Sequence, residues 1–172
     1  MDSTVQILHA KQITDAQRRE INEMMHVVFG DSYNDYIWAP DDWHFLIYEN
    51  GQLVSTVAIV ERTCRVGEQA VKVGGIGDVS TLPAWRGKGL ARRLLGSAAD
   101  FMRETLKVDF GLLECSEQMK PFYAGLGWQV VAAEVYFEQP QGRLKNTGVT
   151  MYLPCAKQTW PSGEVDMCGY PW

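Results

Sequence analysis

Arg86-Gly87-Lys88-Gly89-Leu90-Ala91 sets two glycines among cations at the point where an apolar strand gives way to an amphipathic helix. Backbone freed by glycine can wrap an anion, and the first turn of a helix offers unpaired N–H groups and a partial positive charge. The stretch reads as a cradle for the pyrophosphate of a phosphorylated cofactor, or more plainly as a strand-to-helix turn that needs glycine for its geometry. Two familiar nucleotide motifs are excluded. A P-loop follows Gly-Lys with Ser or Thr, whereas Lys88 precedes Gly89, and Gly74-Gly75-Ile76-Gly77-Asp78 lacks the third glycine and the helix opening of a dinucleotide site.

Downstream of the turn, Leu90, Leu94, Leu95, Ala98, Met102 and Leu106 recur at helical spacing and predict a helix reaching about Thr105, with Arg92, Arg93, Asp100 and Arg103 outside. Upstream, the run from Ala70 to Leu82 is long for a strand and carries three glycines, which signals a bulge or the close approach of a ligand. Trp43 to Tyr48 and Leu53 to Val60 are strand-like and joined by Asn50-Gly51, a hairpin signal. Val5 to His9 reads as a strand, and Asp15 to Phe29 as a helix that carries Ile21, Met24, Met25 and Val28 on one face. Asp31 to Asp42 is polar, aromatic and broken by Pro40, which suits a loop or short-helical segment. After the central helix, Phe110 to Cys115 reads as a buried strand, Glu117 to Gly125 as a short helix, Trp128 to Phe137 as a strand and Thr147 to Leu153 as the last one. The order is mixed α/β, with early hairpins and a strand-helix-strand crossover.

With 172 residues, 46% hydrophobic and 22% charged, the chain has the composition of one globular domain. The net charge of −5 argues against a nucleic-acid surface and is compatible with a small cationic substrate. Cys64, Cys115, Cys155 and Cys168 are far apart, and His9, His26 and His44 form no spaced cluster with them, so reduced thiols and no metal site are expected. Met1 to Gln6 is neither basic nor apolar and no run is long enough for a membrane span, so a cytoplasmic protein with no membrane partner is expected. The oligomeric state is unreadable, and a homodimer stays open.

Arg86-x-x-Gly89-x-Ala91 resembles the Arg/Gln-x-x-Gly-x-Gly/Ala signature of the GCN5-related N-acetyltransferases (GNAT), placed between their fourth strand and the next helix. Phe122-Tyr123-Ala124-Gly125-Leu126-Gly127-Trp128 is similar to their Phe-Tyr-x-x-x-Gly-aromatic segment. The resemblance implies the GNAT fold: a mixed, mostly antiparallel central sheet of about six to seven strands flanked by helices and splayed at strands 4 and 5. It implies a single domain over residues 1–172, with an aromatic tail at 155–172. It also implies acetyl-CoA as acyl donor. Val79, Ser80 and Thr81 would contact the pantetheine arm, and Arg86, Gly87, Lys88, Gly89, Leu90 and Ala91 the pyrophosphate. A backbone N–H near Val79 would meet the oxyanion, and Tyr123 would protonate the leaving thiolate.

Within the family the chain looks most like the aminoglycoside 2'-N-acetyltransferases, through Val73 to Val79, Phe122 to Trp128 and the aromatic end Asp166 to Trp172. The glutamate those enzymes are expected to carry in the fourth strand falls here at Gly77, with Asp78 one place later. Because alternate strand residues face opposite ways, a one-place shift could turn that carboxylate away from the substrate.

Acetyl transfer to an amine needs a neutral nucleophile, yet an amine of pKa about 8 to 10 is mostly protonated at neutral pH, so a carboxylate should take its proton. Asp78 and Glu114, near strand ends, are the candidates; each could instead be structural. Asp31, Asp35, Asp41 and Asp42 make an acidic loop that could meet a small cationic amine or simply be solvated, and Trp172 could stack on the amine or simply pack on the core. The leading expectation is an enzyme acetylating a small cationic amine, an aminoglycoside among the candidates, by direct attack in a ternary complex. The alternatives are acetylation of a protein or peptide amine, and a non-catalytic acyl-CoA sensor.

Overall fold

The structure is a computed structural model and describes residues 4–172; Met1, Asp2 and Ser3 lie outside it. Strand β1 (Val5–His9) leads to helix α1 (Asp15–Phe29). Thr14 Oγ1 accepts the Gln17 N–H at 3.2 Å and Gln17 Oε1 accepts the Thr14 N–H at 3.0 Å, a reciprocal cap that sets where α1 begins. Next come β2 (Trp43–Glu49), β3 (Gln52–Val66) and β4 (Gln69–Thr81). Asn50 (φ +50°) and Gly51 (φ +78°) turn β2 into β3, as the Asn-Gly signal requires. Helix α2 (Leu90–Phe101) runs into a π-turn at Met102–Leu106. It is followed by β5 (Phe110–Cys115), α3 (Lys120–Ala124), β6 (Gln129–Val130), β7 (Val135–Gln139), β8 (Gly142–Lys145), β9 (Val149–Pro154) and β10 (Val165–Asp166). Among the described residues no helix is long and apolar enough to cross a membrane.

The ten strands form one sheet in the order β6-β9-β5-β4-β3-β10-β7-β8, with β2 joined to β3 and β1 to β2. Among the described residues only β4/β5 and β7/β10 pair parallel. The expected mixed, mostly antiparallel sheet is present with more strands than expected. The long β3 explains the branch: its first half pairs with β2 and its far end with β10. Helices cover both faces. Phe45 and Ile47 pack with Leu94, Leu95 and Ala98 of α2, while Leu46 between them packs with Ile21, Met24 and Met25 of α1. This is strand alternation read directly as two cores. A third cluster joins Val60, Cys64 and Val66 of β3 to Phe137, Val165, Met167 and Trp172.

Three expectations are corrected. The single strand expected over Trp128 to Phe137 is two short strands on opposite flanks of the sheet, β6 beside β9 and β7 beside β10. The residues between them, Val131 to Glu134, include no glycine or proline to mark the break. The helix expected from Glu117 occupies only Lys120–Ala124, after a turn in which Met119 N donates to Ser116 O at 3.0 Å. Thr147 to Leu153 is not the last strand, because β10 follows it.

Two irregularities shape the functional region. The parallel pairing of β4 and β5 stops at Ile76/Leu113, although both strands continue, so the sheet splays there. On its other edge β4 bulges: Gly77 pairs with Ala58 and Ser80 with Thr56, so three steps along β4 oppose two along β3. Asp78 sits in the bulge at φ +52°.

Candidate active site

The splay opens into a cleft of about 1020 Å3. Its β4 wall carries Gly77, Asp78, Val79, Ser80 and Thr81, and its opposite wall Glu114, Cys115, Phe122 and Tyr123. Arg86, Gly87, Gly89, Leu90, Ala91 and Arg92 close one end, and the segment from Val28 to Trp38, with Asp35, closes the other. Most of the residues singled out from sequence are therefore brought together. The one-place shift at Asp78 does not turn its carboxylate away, because the bulge resets the alternation of β4 and Asp78 lines the cleft.

Other expected residues lie elsewhere. Lys88 is outside the cleft lining, its Nζ 4.1 Å from the centre of the Trp85 ring, and Arg92, two residues into α2, lines the cleft with Arg86. Asp31 is exposed and outside the lining. Asp42 is also outside it, because its Oδ2 accepts the Glu61 N–H at 2.7 Å and so ties the entry of β2 to β3. The Trp172 ring is buried against β4, where any Cβ at Gly75 would overlap the indole, and its Nε1 donates to Leu112 O at 3.2 Å. Trp172 therefore forms part of the cleft floor and has no free ring face for stacking. Of the glycines expected to admit a ligand, Gly74 and Gly75 admit Met102 and Trp172 instead.

The electrostatics of the cleft centre on carboxyl groups. Burial pushes Asp78 up to about 6, partly offset by hydrogen bonds from Asp41 and Tyr33. Burial, followed by the neighbouring Asp78 charge, raises Asp41 well above the usual carboxylate range, and burial also raises the Tyr33 phenol. Of the two, Asp41 is the more strongly raised, because the Asp78 charge adds to its burial. His44 Nδ1 lies 3.9 Å from Asp41 Oδ2, but burial pushes the imidazole down to about 4, so at neutral pH this is not an ion pair. Glu114 has no such partners: its Oε1 is buried without a hydrogen bond, and burial alone pushes the group up to about 7. Tyr123 is 5% exposed, and burial pushes its phenol up to about 12, so it carries its proton throughout the neutral range. Sequence reading missed Tyr33 and the pairing of Asp41 with Asp78. Nothing local in the chain signals that a loop residue meets a strand 37 residues onward, from Asp41 to Asp78.

At the far end, Gly87 and Gly89 both adopt φ +77°, and a Cβ on either would point into open space. Such a backbone turns its N–H groups toward an anion, and the first turn of α2 adds those of Leu90 and Ala91. Arg86 Nε donates to Thr81 O at 3.2 Å and so pins this loop to the end of β4. The unpaired edge of β4 past Ile76, the glycine loop and the two arginines form a channel that could hold an extended arm ending in a pyrophosphate.

A family model described as "Acetyltransferase (GNAT) domain" matches residues 9–131 of this chain. The chain belongs to the GNAT acetyltransferases. It is similar to the aminoglycoside 2'-N-acetyltransferase of Mycolicibacterium fortuitum, at 24% identity over 149 residues that cover 86% of this chain and 72% of the relative. Among solved structures it is similar to Escherichia coli ElaA, with a TM-score of 0.65 and 18% identity over 88% of this chain and 99% of that one. It is also similar to the GNAT protein YhbS of Escherichia coli in complex with CoA, with a TM-score of 0.67 and 13% identity over 98% of this chain and 92% of that one. At these identities the structural likeness is one of fold. This GNAT enzyme is an acyl-CoA-dependent N-acetyltransferase that acts on an amine, and acetyl-CoA is its acyl donor.

Proposed function

We propose that this GNAT acetyltransferase moves an acetyl group to the primary amine of a small cationic substrate by direct attack within a ternary complex, with Asp78 as base and Tyr123 as acid. The observation that carries the reading is the β4 bulge, which sets the Asp78 carboxylate in the same cleft as the Tyr123 phenol. Acetyl-CoA, when bound, supplies a thioester activated toward amines. Val79, Ser80 and Thr81 hold its extended arm along the unpaired edge of β4, and a backbone N–H near Val79 stabilises the carbonyl oxygen. Arg86, Gly87, Gly89, Leu90 and Ala91 cradle the pyrophosphate with help from Arg92, and Lys88 contributes charge from the rim.

Asp78 takes the proton of the acceptor ammonium, so that nitrogen regains its lone pair. The N–C bond then forms as the C–S bond breaks, Tyr123 passes its phenolic proton to the departing thiolate, and the extra proton of the acylated nitrogen returns to the tyrosinate, which leaves a neutral amide, a thiol and the net proton on Asp78. A base near pKa 6 is mostly ionised at neutral pH while still close enough to the working pH to accept a proton. Glu114, across the splay, is the other carboxylate able to act on the amine. Direct attack is also favoured by the thiols: burial raises Cys115, the cysteine in the cleft, above its ordinary value, so it is poorly suited to form an acetyl-thioester relay. A second reading, an aminoglycoside acceptor, is favoured by the Mycolicibacterium relative.

Initial rates with acetyl-CoA and a turned-over amine, followed by thiol release, test the proposal. Intersecting double-reciprocal lines are expected, and Tyr123→Phe should lower kcat by roughly 100-fold or more. Parallel lines would overturn the ternary complex, and an unchanged kcat would remove Tyr123 from its role.

A further inference from the structure

The acceptor end of the cleft is walled by rings. Phe29 stacks on Tyr33 at 6.2 Å and 19°, and Tyr33 on Trp38 at 5.7 Å and 15°. Tyr36 meets Trp38 edge-on at 5.7 Å. All four line the cleft, and Phe29 and Tyr36 leave 44% and 42% of their surface open. The wall is built into the fold: Trp38 Nε1 donates to Tyr33 O at 2.7 Å, and Gln139 of β7 clasps both polar groups of the Ile37 backbone. It also starts at the chemistry, because Tyr33 and Asp78 share the lining and the Asp78 charge bears on the Tyr33 phenol.

A polycation would need an anion for each further ammonium, and the expected acidic loop does not supply them. Asp31, Asp41 and Asp42 are outside the lining, which leaves Asp35 of that segment and, across the splay, Glu114, which burial keeps about half protonated at neutral pH. The open surface of Phe29 and Tyr36 instead matches a planar apolar body.

We infer that the acceptor is a monoamine carrying an aromatic ring on a short flexible linker, its ammonium at Asp78 and its ring against the open surface of Phe29 and Tyr36. This inference rests on the amine-acetylating reading above. The linker follows from the placement of the wall: the Phe29 ring lies 6.2 Å from that of Tyr33, the wall residue on which the Asp78 charge bears, so a ring resting on Phe29 needs a spacer to bring its nitrogen to the carboxylate.

The test measures kcat/KM by thiol release for 2-phenylethylamine, n-butylamine, spermidine and kanamycin, with saturating acetyl-CoA. The aromatic amine should exceed n-butylamine by about tenfold or more once each kcat/KM is referred to the free-base fraction of its amine, since burying a ring is then the difference between them. Phe29→Ala should cut that ratio several-fold through KM, with Phe29→Leu intermediate. Preference for kanamycin or spermidine, with 2-phenylethylamine no better than n-butylamine, would overturn the inference while leaving amine acetylation intact. If the protein binds acetyl-CoA yet acetylates none of the four amines, both readings fall.

Discussion

Replacing Glu114 by Gln should make the protein more stable at pH 8 and change little at pH 4. In the native chain burial alone pushes this carboxyl from 4.5 to about 7, and its Oε1 has no hydrogen-bond partner. A raised carboxyl pKa means that the folded protein holds a proton the unfolded chain has already released, so stability from this group falls as pH rises through the window from 4.5 to about 7. The rise from 4.5 to about 7 corresponds to about 3 to 4 kcal/mol at about 1.4 kcal/mol per pH unit, an upper bound because water enters the cleft. Gln keeps the shape and carries no charge, so it removes the cost of burying the ion. Urea unfolding of both proteins at half-unit steps from pH 4 to 8 gives the difference in unfolding free energy, in which groups common to both cancel. The difference should be near zero at pH 4, rise through the window and level off at about 2 to 3 kcal/mol in favour of the variant. A flat difference curve would refute the claim that Glu114 is ionised at a desolvation cost, and with it the candidacy of this group as a base poised near neutrality.

Asp78→Asn should lower kcat/KM by roughly 100-fold or more and abolish the acidic limb of its pH profile near pH 6; a wild-type profile in the variant would exclude Asp78 as base. Gly75→Val should destabilise by about 2 kcal/mol or more in thermal or urea unfolding, because the new side chain collides with the buried Trp172 indole and displaces its bond to Leu112 O. Gly89→Val meets open space, but φ +77° is strained for a β-branched residue, so about 1 to 2 kcal/mol of stability should be lost. The same variant should raise the KM for acetyl-CoA, measured at saturating amine, because the strained loop presents its N–H groups poorly; an unchanged KM would place the pyrophosphate elsewhere.

Much of the local structure could be read from the chain alone. The limits of α1 follow from the spacing of Ile21, Met24 and Met25 and from the Thr14–Gln17 cap, and the β2–β3 turn follows from Asn50-Gly51. The helix start after Gly89 is equally local. These features depend on backbone dihedrals and on neighbours within a turn, so nearby residues encode them. The motifs at Arg86 to Ala91 and Phe122 to Trp128 were enough to indicate the family because both are contiguous.

Tertiary structure decided the rest. The run from Trp128 to Phe137 shows no break because the reason for it lies elsewhere: β9 and β10 offer pairing edges on opposite flanks of the sheet. Asp78 looked misplaced while β4 was treated as regular; the bulge opposite Thr56 to Ala58 brings it into the cleft. The acidic loop looked like a cation trap, yet Asp42 is consumed by the Glu61 N–H and Asp41 by Asp78. The aromatic wall, too, exists only because α1, the following loop and β7 meet. The sequence by itself determined the local elements and the cofactor turn, where a few neighbouring residues set the geometry. Which carboxylates are free, shared or buried, and what faces the acceptor, depended on contacts between distant segments, because burial and strand pairing are settled by competition across the whole chain.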